Sequence, residues 1–189
     1  MDFSIGYATF IASLLLCVSS SPTPFANARA SSLIRSVCKQ TQDQFGYNYK
    51  RCVKSLWKDI PTRSASNLKD LDTTILKLAL TNAQESKAYF VNARNTTGNN
   101  IFKSSGAVKQ CADSYDFAVD GFTFSMRGIK DNDKSVSQIL TQVQDEIVRC
   151  EKALTSTEIE IPYLVSSTNF LTMLYRDVAF LITSQLFHI

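Results

Sequence analysis

Apolar residues recur at helical intervals along almost the whole chain from Ser31 onward. Between Leu33 and Phe45 they are spaced three and four residues apart, and Gly46 ends the pattern. Side chains with this spacing share one face of a helix. The segment therefore predicts an amphipathic helix that has Ser31 or Ser32 as its N-cap.

The same spacing predicts one further short helix and four long ones, whereas no segment alternates in the way expected of a strand. In chain order they run from Tyr49 until Pro61, from Asn67 or Asp70 until the polar breaker at 97–100, from Ser104 or Ser105 until Gly128, from Val136 to Leu154, and onward from Pro162. We therefore predict an all-α fold: an up-and-down four-helix bundle with an N-terminal α-helical hairpin extension. The hairpin is expected over 31–62 and the bundle over 63–189, within one domain.

The first thirty residues differ from the rest of the chain. The stretch from Ile5 to Val18 is mostly apolar and uncharged, and small residues recur further on, up to Ala28 and Ala30. This pattern is typical of a secretory signal peptide, although the start of the chain carries no Lys or Arg. We expect residues 1–30 to be a leader that is cleaved after Ala28 or Ala30. An uncleaved anchor is the alternative, but the apolar run is too short to span a membrane.

Four cysteines follow the leader, which itself contains Cys17. In an exported protein an even number of cysteines suggests disulfides rather than a metal site. Three pairings are possible. Cys38 and Cys52 flank one predicted helix–helix turn, and Cys111 and Cys150 flank another at nearly equal distances. Because paired cysteines must approach closely, this symmetry favours Cys38–Cys52 and Cys111–Cys150.

The remaining composition excludes several classes of function. The net charge of +3 does not indicate a nucleic-acid partner, and the apolar helix near the C-terminus is interrupted by Arg176 and Asp177. His188 is the single histidine, and no nucleophile–base pair, metal-ligand spacing or phosphate-binding loop is present. We predict a protein that is not an enzyme, needs no metal or cofactor, and has no membrane partner. The aromatic residues fall at core spacing. Asn95-Thr96-Thr97 is a glycosylation sequon.

Three regions carry a more specific pattern. Ile34–Thr41 and Tyr47–Leu56 contain an Ile before a Cys, a Thr three residues after that Cys, and a second Cys followed by Ser-Leu. Ala107–Asp120 contains a Cys, a Tyr four residues later and an Ala-Val pair, and 168–171 reads Thr-Asn-Phe-Leu. These segments resemble the N-terminal hairpin, the third-cysteine helix and the last-helix Ser-Asn-x-Leu motif of plant invertase and pectin methylesterase inhibitors.

The resemblance implies a four-helix bundle with a hairpin and disulfides between consecutive cysteines. It also implies a secreted inhibitor of the apoplast or cell wall that covers the pectin cleft of a pectin methylesterase or plugs the sucrose pocket of an acid invertase. We expect a monomer that occludes its target without making or breaking a bond. The predicted target-binding residues lie on two exposed helix faces: Lys109, Asp113, Asp116 and Asp120 on one, and Gln142, Asp145 and Arg149 on the other.

The chain departs from the family pattern at three places. Thr141-Gln142-Val143-Gln144 stands where the family usually carries Ser-Ala-Ala-Leu, and Arg149 stands where it usually carries Thr. Ile101-Phe102-Lys103-Ser104 lies near the position where invertase inhibitors often carry Pro-Lys-Phe. The last departure weakens the assignment to invertase. The departures at Gln142 to Gln144 and at Arg149 motivate an alternative, a secreted structural or interaction bundle of the same fold that has no inhibitory activity.

Overall fold

The computed structural model describes residues 24–95, 106–156 and 163–188. No β-strand occurs within these ranges, which confirms the all-α prediction. The helices in them are α1 Pro24–Phe45, α2 Tyr49–Trp57, α3 Ile60–Arg63, α4 Leu68–Asn95, α5 Gly106–Asp131, α6 Val136–Thr155 and α7 Tyr163–Phe187. Across the described part of the chain, no helix is long and apolar enough to cross a membrane.

The four long helices α4 to α7 form the predicted bundle. Both α5 and α7 pack against α4 and against α6, so the order around the bundle is the order along the chain. This is the up-and-down arrangement of a four-helix bundle. Large side chains fill its centre, where Phe90, Tyr115 and Phe122 are fully buried and Phe90 stacks on Tyr115 with 5.8 Å between ring centroids.

The hairpin of α1 and α2 turns at Gly46. This glycine has a φ of +74°, in the left-handed region where a side chain is disfavoured. Both predicted disulfides are confirmed, with Cα–Cα distances of 5.7 Å for Cys38–Cys52 and 4.5 Å for Cys111–Cys150. Helix α1 packs against α7, and α3 packs against α4, so the N-terminal segment is fixed to the bundle at two places.

The observed helix boundaries differ from the expected ones at both α1 and α5. Helix α1 begins at Pro24 rather than after Ser31 or Ser32, and α5 continues through Gly128 to Asp131. Proline is well accepted at the first position of a helix, because the N–H that it lacks has no partner within the helix there.

The short helix α3 was not predicted, because the sequence pattern treated Pro61 as a stop. Asp59 is its N-cap and accepts a hydrogen bond from the backbone N–H of Thr62 at 2.8 Å, with Pro61 in the first turn. A proline after a capping aspartate starts a helix as readily as it ends one.

Several predictions fall on residues that the structure does not describe. The leader over 1–30 stays a prediction, since 1–23 lie outside the described residues and α1 runs through both predicted cleavage sites. The capping serines Ser104 and Ser105 and the segments 96–100 and 101–103 also lie outside the described residues. Asn95 of the sequon is the last residue of α4, and its glycosylation stays a prediction.

Candidate functional site

All the predicted target-binding residues lie on the solvent side of α5 and α6. These helices alternate buried and exposed positions with the period of an amphipathic helix, which leaves the polar positions outward. The residues are Lys109, Asp113, Asp116 and Asp120 on α5 and Gln142, Asp145 and Arg149 on α6. Their role in binding a target stays a prediction.

Some of these charges already have partners within the protein. Lys109 donates to Asp113 one turn further on, with 2.8 Å between Nζ and Oδ2, and Asp116 pairs with Lys87 of α4. Exposed ion pairs of this kind contribute little to stability, so a partner protein can replace them at small cost. Asp120 forms no ion pair with any other described residue, and its carboxylate is free to accept hydrogen bonds from outside.

Two aromatic residues on the same face were not predicted to be there. Phe117 and Phe124 of α5 are each 40% exposed and stand on either side of Asp120. Together with Ile139 and Gln142 of α6 they line a shallow groove of about 360 Å³. The expectation that the aromatic residues fall at core spacing is therefore wrong for these two phenylalanines. The sequence carried the signal, since both fall among the aspartates of α5 and outside its buried stripe.

Two glycines of α5 form the close contact with α6 beneath this groove. A Cβ on Gly121 would lie 2.4 Å from Cγ2 of Val143, and a Cβ on Gly128 would lie 2.4 Å from Cγ2 of Val136. Real carbon atoms do not approach this closely. The absence of a side chain at both positions therefore sets the distance between α5 and α6.

Polar and covalent links hold the other end of this helix pair. The Cys111–Cys150 disulfide joins α5 to α6, and the hydroxyl of Ser114 donates to Glu146 at 3.2 Å. Arg149 in turn donates to Glu146, with 2.7 Å between the two atoms. The departure at Arg149 thus places a cation on the edge of this face. The shared surface of α5 and α6 is rigid, because both of its ends are fixed.

Two motif residues meet inside the bundle. The hydroxyl of Tyr115 on α5 donates to Oδ1 of Asn169 on α7, and burial raises the pKa of Tyr115 well above its ordinary range. Burial also raises the pKa of Glu151 on α6, although a hydrogen bond from Asn169 acts in the opposite direction. These residues connect three helices in the interior. Their position indicates a structural role and not contact with a target.

A buried ion pair on α7 was also missed. Arg176 and Asp177 are only 2% and 4% exposed, and they pair with each other. Nε of Arg176 donates to the backbone carbonyl of Leu140 on α6 at 2.7 Å, and the hydroxyl of Tyr47 donates to Asp177 at 2.8 Å. Burial, reinforced by the charge of Asp177, raises the pKa of Tyr47. The two charges that interrupt the apolar helix therefore connect α6, α7 and the α1–α2 turn.

No group of three or more metal-ligating side chains comes together within the described ranges. The outer face of α5 and α6 is a surface suited to another protein: rigid, partly aromatic, and polar at its edges.

A comparison with known protein families matches residues 32–177 to the family described as plant invertase/pectin methylesterase inhibitor. The matched segment contains both disulfides, all of α2 to α6 and most of α1 and α7. A comparison with curated proteins found no match.

Proposed function

Because the chain belongs to the plant invertase/pectin methylesterase inhibitor family, we propose that it occludes the active-site cleft of a cell-wall enzyme. Members of this family are proteinaceous inhibitors and not enzymes, and they act on carbohydrate-active enzymes through protein–protein contact. The proposed targets are a pectin methylesterase or an acid invertase. The departure at Ile101–Ser104 from the pattern of invertase inhibitors makes pectin methylesterase the first candidate.

The observation that carries this proposal is the outer face of α5 and α6, which we call the α5–α6 face. It comprises the predicted contact residues together with Phe117 and Phe124, which are exposed on α5. Aromatic anchors surrounded by polar groups are typical of the centre of a protein–protein interface. The face is also held in place by the Cys111–Cys150 disulfide, so binding orders few new groups and its entropic cost is low.

We further propose that the protein acts as an exported monomer. Its two disulfides suit an oxidising compartment such as the apoplast. In this proposal the leader over 1–30 is removed, the hairpin over 31–62 and the bundle over 63–189 act as one inhibitor domain, and Asn95 carries a glycan.

The decisive experiment titrates the purified protein against one pectin methylesterase and one acid invertase. We expect saturable inhibition of the pectin methylesterase. Inhibition of neither enzyme would instead favour the alternative, a secreted interaction bundle that has no inhibitory activity. Inhibition of the invertase alone would keep the inhibitory mechanism and change the target.

A pair of variants locates the contact surface. Replacing both Phe117→Ala and Phe124→Ala should raise the inhibition constant about tenfold or more, because interface aromatic residues commonly contribute about 2 kcal/mol. Phe45→Ala is the matched control, since Phe45 on α1 is similarly exposed at 37%. Equal effects of the double variant and the control would contradict binding through the α5–α6 face.

A further inference from the structure

Helix α2 presents a row of basic side chains to solvent. Lys50, Arg51 and Lys54 are exposed, and so is Lys58, which follows its last residue. The helix itself contains no acidic residue. Residues four apart lie one above the other on a helix, so Lys50, Lys54 and Lys58 form a line with one charge per turn. We call this surface the α2 basic face.

Local stabilisation accounts for only part of these charges. Lys54 in the last turn and Lys58 at the C-cap suit the negative end of the helix dipole, whereas Lys50 and Arg51 lie in the first turn of α2, where the positive end disfavours cations. None of the four basic residues forms an ion pair with another described residue. Their charges therefore remain available to a ligand.

The base of this surface is fixed. The guanidinium of Arg51 lies 3.4 Å from the ring centroid of Phe170 on α7, a cation–π contact. Asn48 caps the helix by accepting from the backbone N–H of Arg51 at 3.0 Å, and the next residue, Cys52, is bonded to Cys38. The charges are thus displayed from a rigid helix.

A groove runs beside this row. It has a volume of about 630 Å³ and is bounded by the basic residues of α2 on one side and by Ser167 and Leu171 of α7 on the other. Trp57 is 38% exposed and lies seven residues after Lys50, on the same face of α2. The groove therefore combines several cations with hydroxyl groups, which is a chemistry suited to an acidic sugar chain, and the exposed ring of Trp57 lies outside it on the same helix.

We propose that the α2 basic face binds a linear polymer of uronic acid, namely the de-esterified form of pectin. Its carboxylates recur along the chain, as the cations recur along the helix, and each pair forms a charge-assisted contact. Methyl esterification removes these charges, so the esterified polymer is not a ligand. The binding stands on the α2 basic face alone, whereas its biological setting, the wall polymer on which the target enzyme acts, rests on the proposed function.

An anionic membrane fits the same surface less well. A helix that lies in a membrane interface needs an apolar face free to enter the lipid. The apolar residues Cys52 and Leu56 of α2 are fully buried in the protein, and the large apolar side chains exposed beside them are Trp57 and Ile60, which are too few to form such a face. Polymer binding requires only the exposed side of the helix. It would hold the inhibitor at wall regions where esters have already been removed, beside the enzyme that removes them.

The test measures the affinity of the purified protein for soluble polygalacturonate by calorimetry, at low and at physiological salt. Removing three exposed charges should weaken binding about tenfold, because each exposed ion pair contributes a factor of about two. A control with the same change in net charge should lose less than about twofold. The test variant is K50Q/K54Q/K58Q, and the control is K77Q/K134Q/K152Q, which replaces exposed lysines of α4, of the α5–α6 turn and of α6.

Three results would overturn the inference: no binding by the unmodified protein, equal weakening in both triple variants, or equal affinity for fully methyl-esterified pectin. Equal or tighter binding to phosphatidylserine vesicles or to polyglutamate would replace it with a membrane or peptide partner. Inhibition assays on a small soluble ester separate this inference from the proposed function. Loss of polygalacturonate binding in K50Q/K54Q/K58Q with inhibition unchanged supports the α2 basic face, whereas polymer binding without inhibition of either enzyme refutes only the proposed function.

Discussion

Replacing Gly121 with alanine tests how closely α5 and α6 approach. The new Cβ would lie 2.4 Å from Cγ2 of Val143, whereas carbon atoms in contact normally stand about 3.5–4.0 Å apart. The distance between the new Cβ and Cγ2 of Val143 must therefore increase by more than about 1 Å. Val143 is fully buried and β-branched, so its rotamer offers little relief. Overpacking of this kind costs about 1–3 kcal/mol.

A second glycine provides the control. Gly106→Ala also places alanine in α5, but no atom of the described residues lies within 4 Å of the new Cβ. Gly121 lies in the interior of α5, where alanine gains about 1 kcal/mol of helix propensity, whereas Gly106 is the first residue of α5 and gains less. This gain offsets part of the clash, so Gly121→Ala should be less stable than Gly106→Ala by about 1–2 kcal/mol. The free energy of unfolding would be measured by urea titration monitored by circular dichroism.

A double-mutant cycle identifies the cause. If the clash with Val143 is responsible, adding Val143→Ala to Gly121→Ala should cost less than Val143→Ala costs alone, with a coupling energy of about 1 kcal/mol or more. Equal stability of Gly121→Ala and Gly106→Ala, or strict additivity in the cycle, would show that α5 and α6 are not in close contact here. The inferred rigidity of the α5–α6 face would then fail with it.

Two buried ionisable side chains give further predictions. Burial raises the pKa of Asp72 well above its ordinary value, so its contribution to stability is present below about pH 4 and is lost as pH rises through the folded-state pKa. The free energy of unfolding of Asp72→Asn, compared with that of the parent protein, should therefore be higher at pH 7 than at pH 4. A constant difference between the two proteins would contradict this. Arg176→Met should lower the free energy of unfolding by about 3–5 kcal/mol in urea titrations, because Asp177 stays buried without a counter-charge. Adding Asp177→Asn should recover part of that loss, and no recovery would rule out the ion pair as the cause.

The periodicity of apolar residues was sufficient to predict the bundle. Each of its helices buries one stripe over many turns, and a pattern of that length seldom arises outside a long amphipathic helix. Helix α3 has four residues, which is too short for any period to be visible, and it depends on the cap at Asp59. The start of α1 at Pro24 was missed because the residues before Ser31 were assigned to the leader. Local capping chemistry, and not hydrophobic spacing, decides such boundaries.

The exposure of the charged positions on the α5–α6 face was predictable from the period of the apolar residues, since these positions fall between the buried ones. The ion-pair partners of these charges were not predictable. Asp116 pairs with Lys87 only because α4 packs beside α5, and no sequence spacing records that neighbour. The pair of Arg176 and Asp177 was missed because adjacent residues on a helix do not normally face each other. The long side chain of Arg176 reaches back to its neighbour while also donating to Leu140 on α6.

The two disulfides lie under the two candidate binding surfaces, and this placement has a physical consequence. A helix of nine residues such as α2 is marginal alone, and the bond between Cys38 and Cys52 keeps it ordered with its basic residues displayed. The bond between Cys111 and Cys150 instead fixes one end of α5 against α6, which are long helices of the bundle itself. A surface that is ordered before binding loses little entropy when it binds. Reduction should therefore weaken polygalacturonate binding at the α2 basic face before it unfolds the bundle, whose core is formed by long helices.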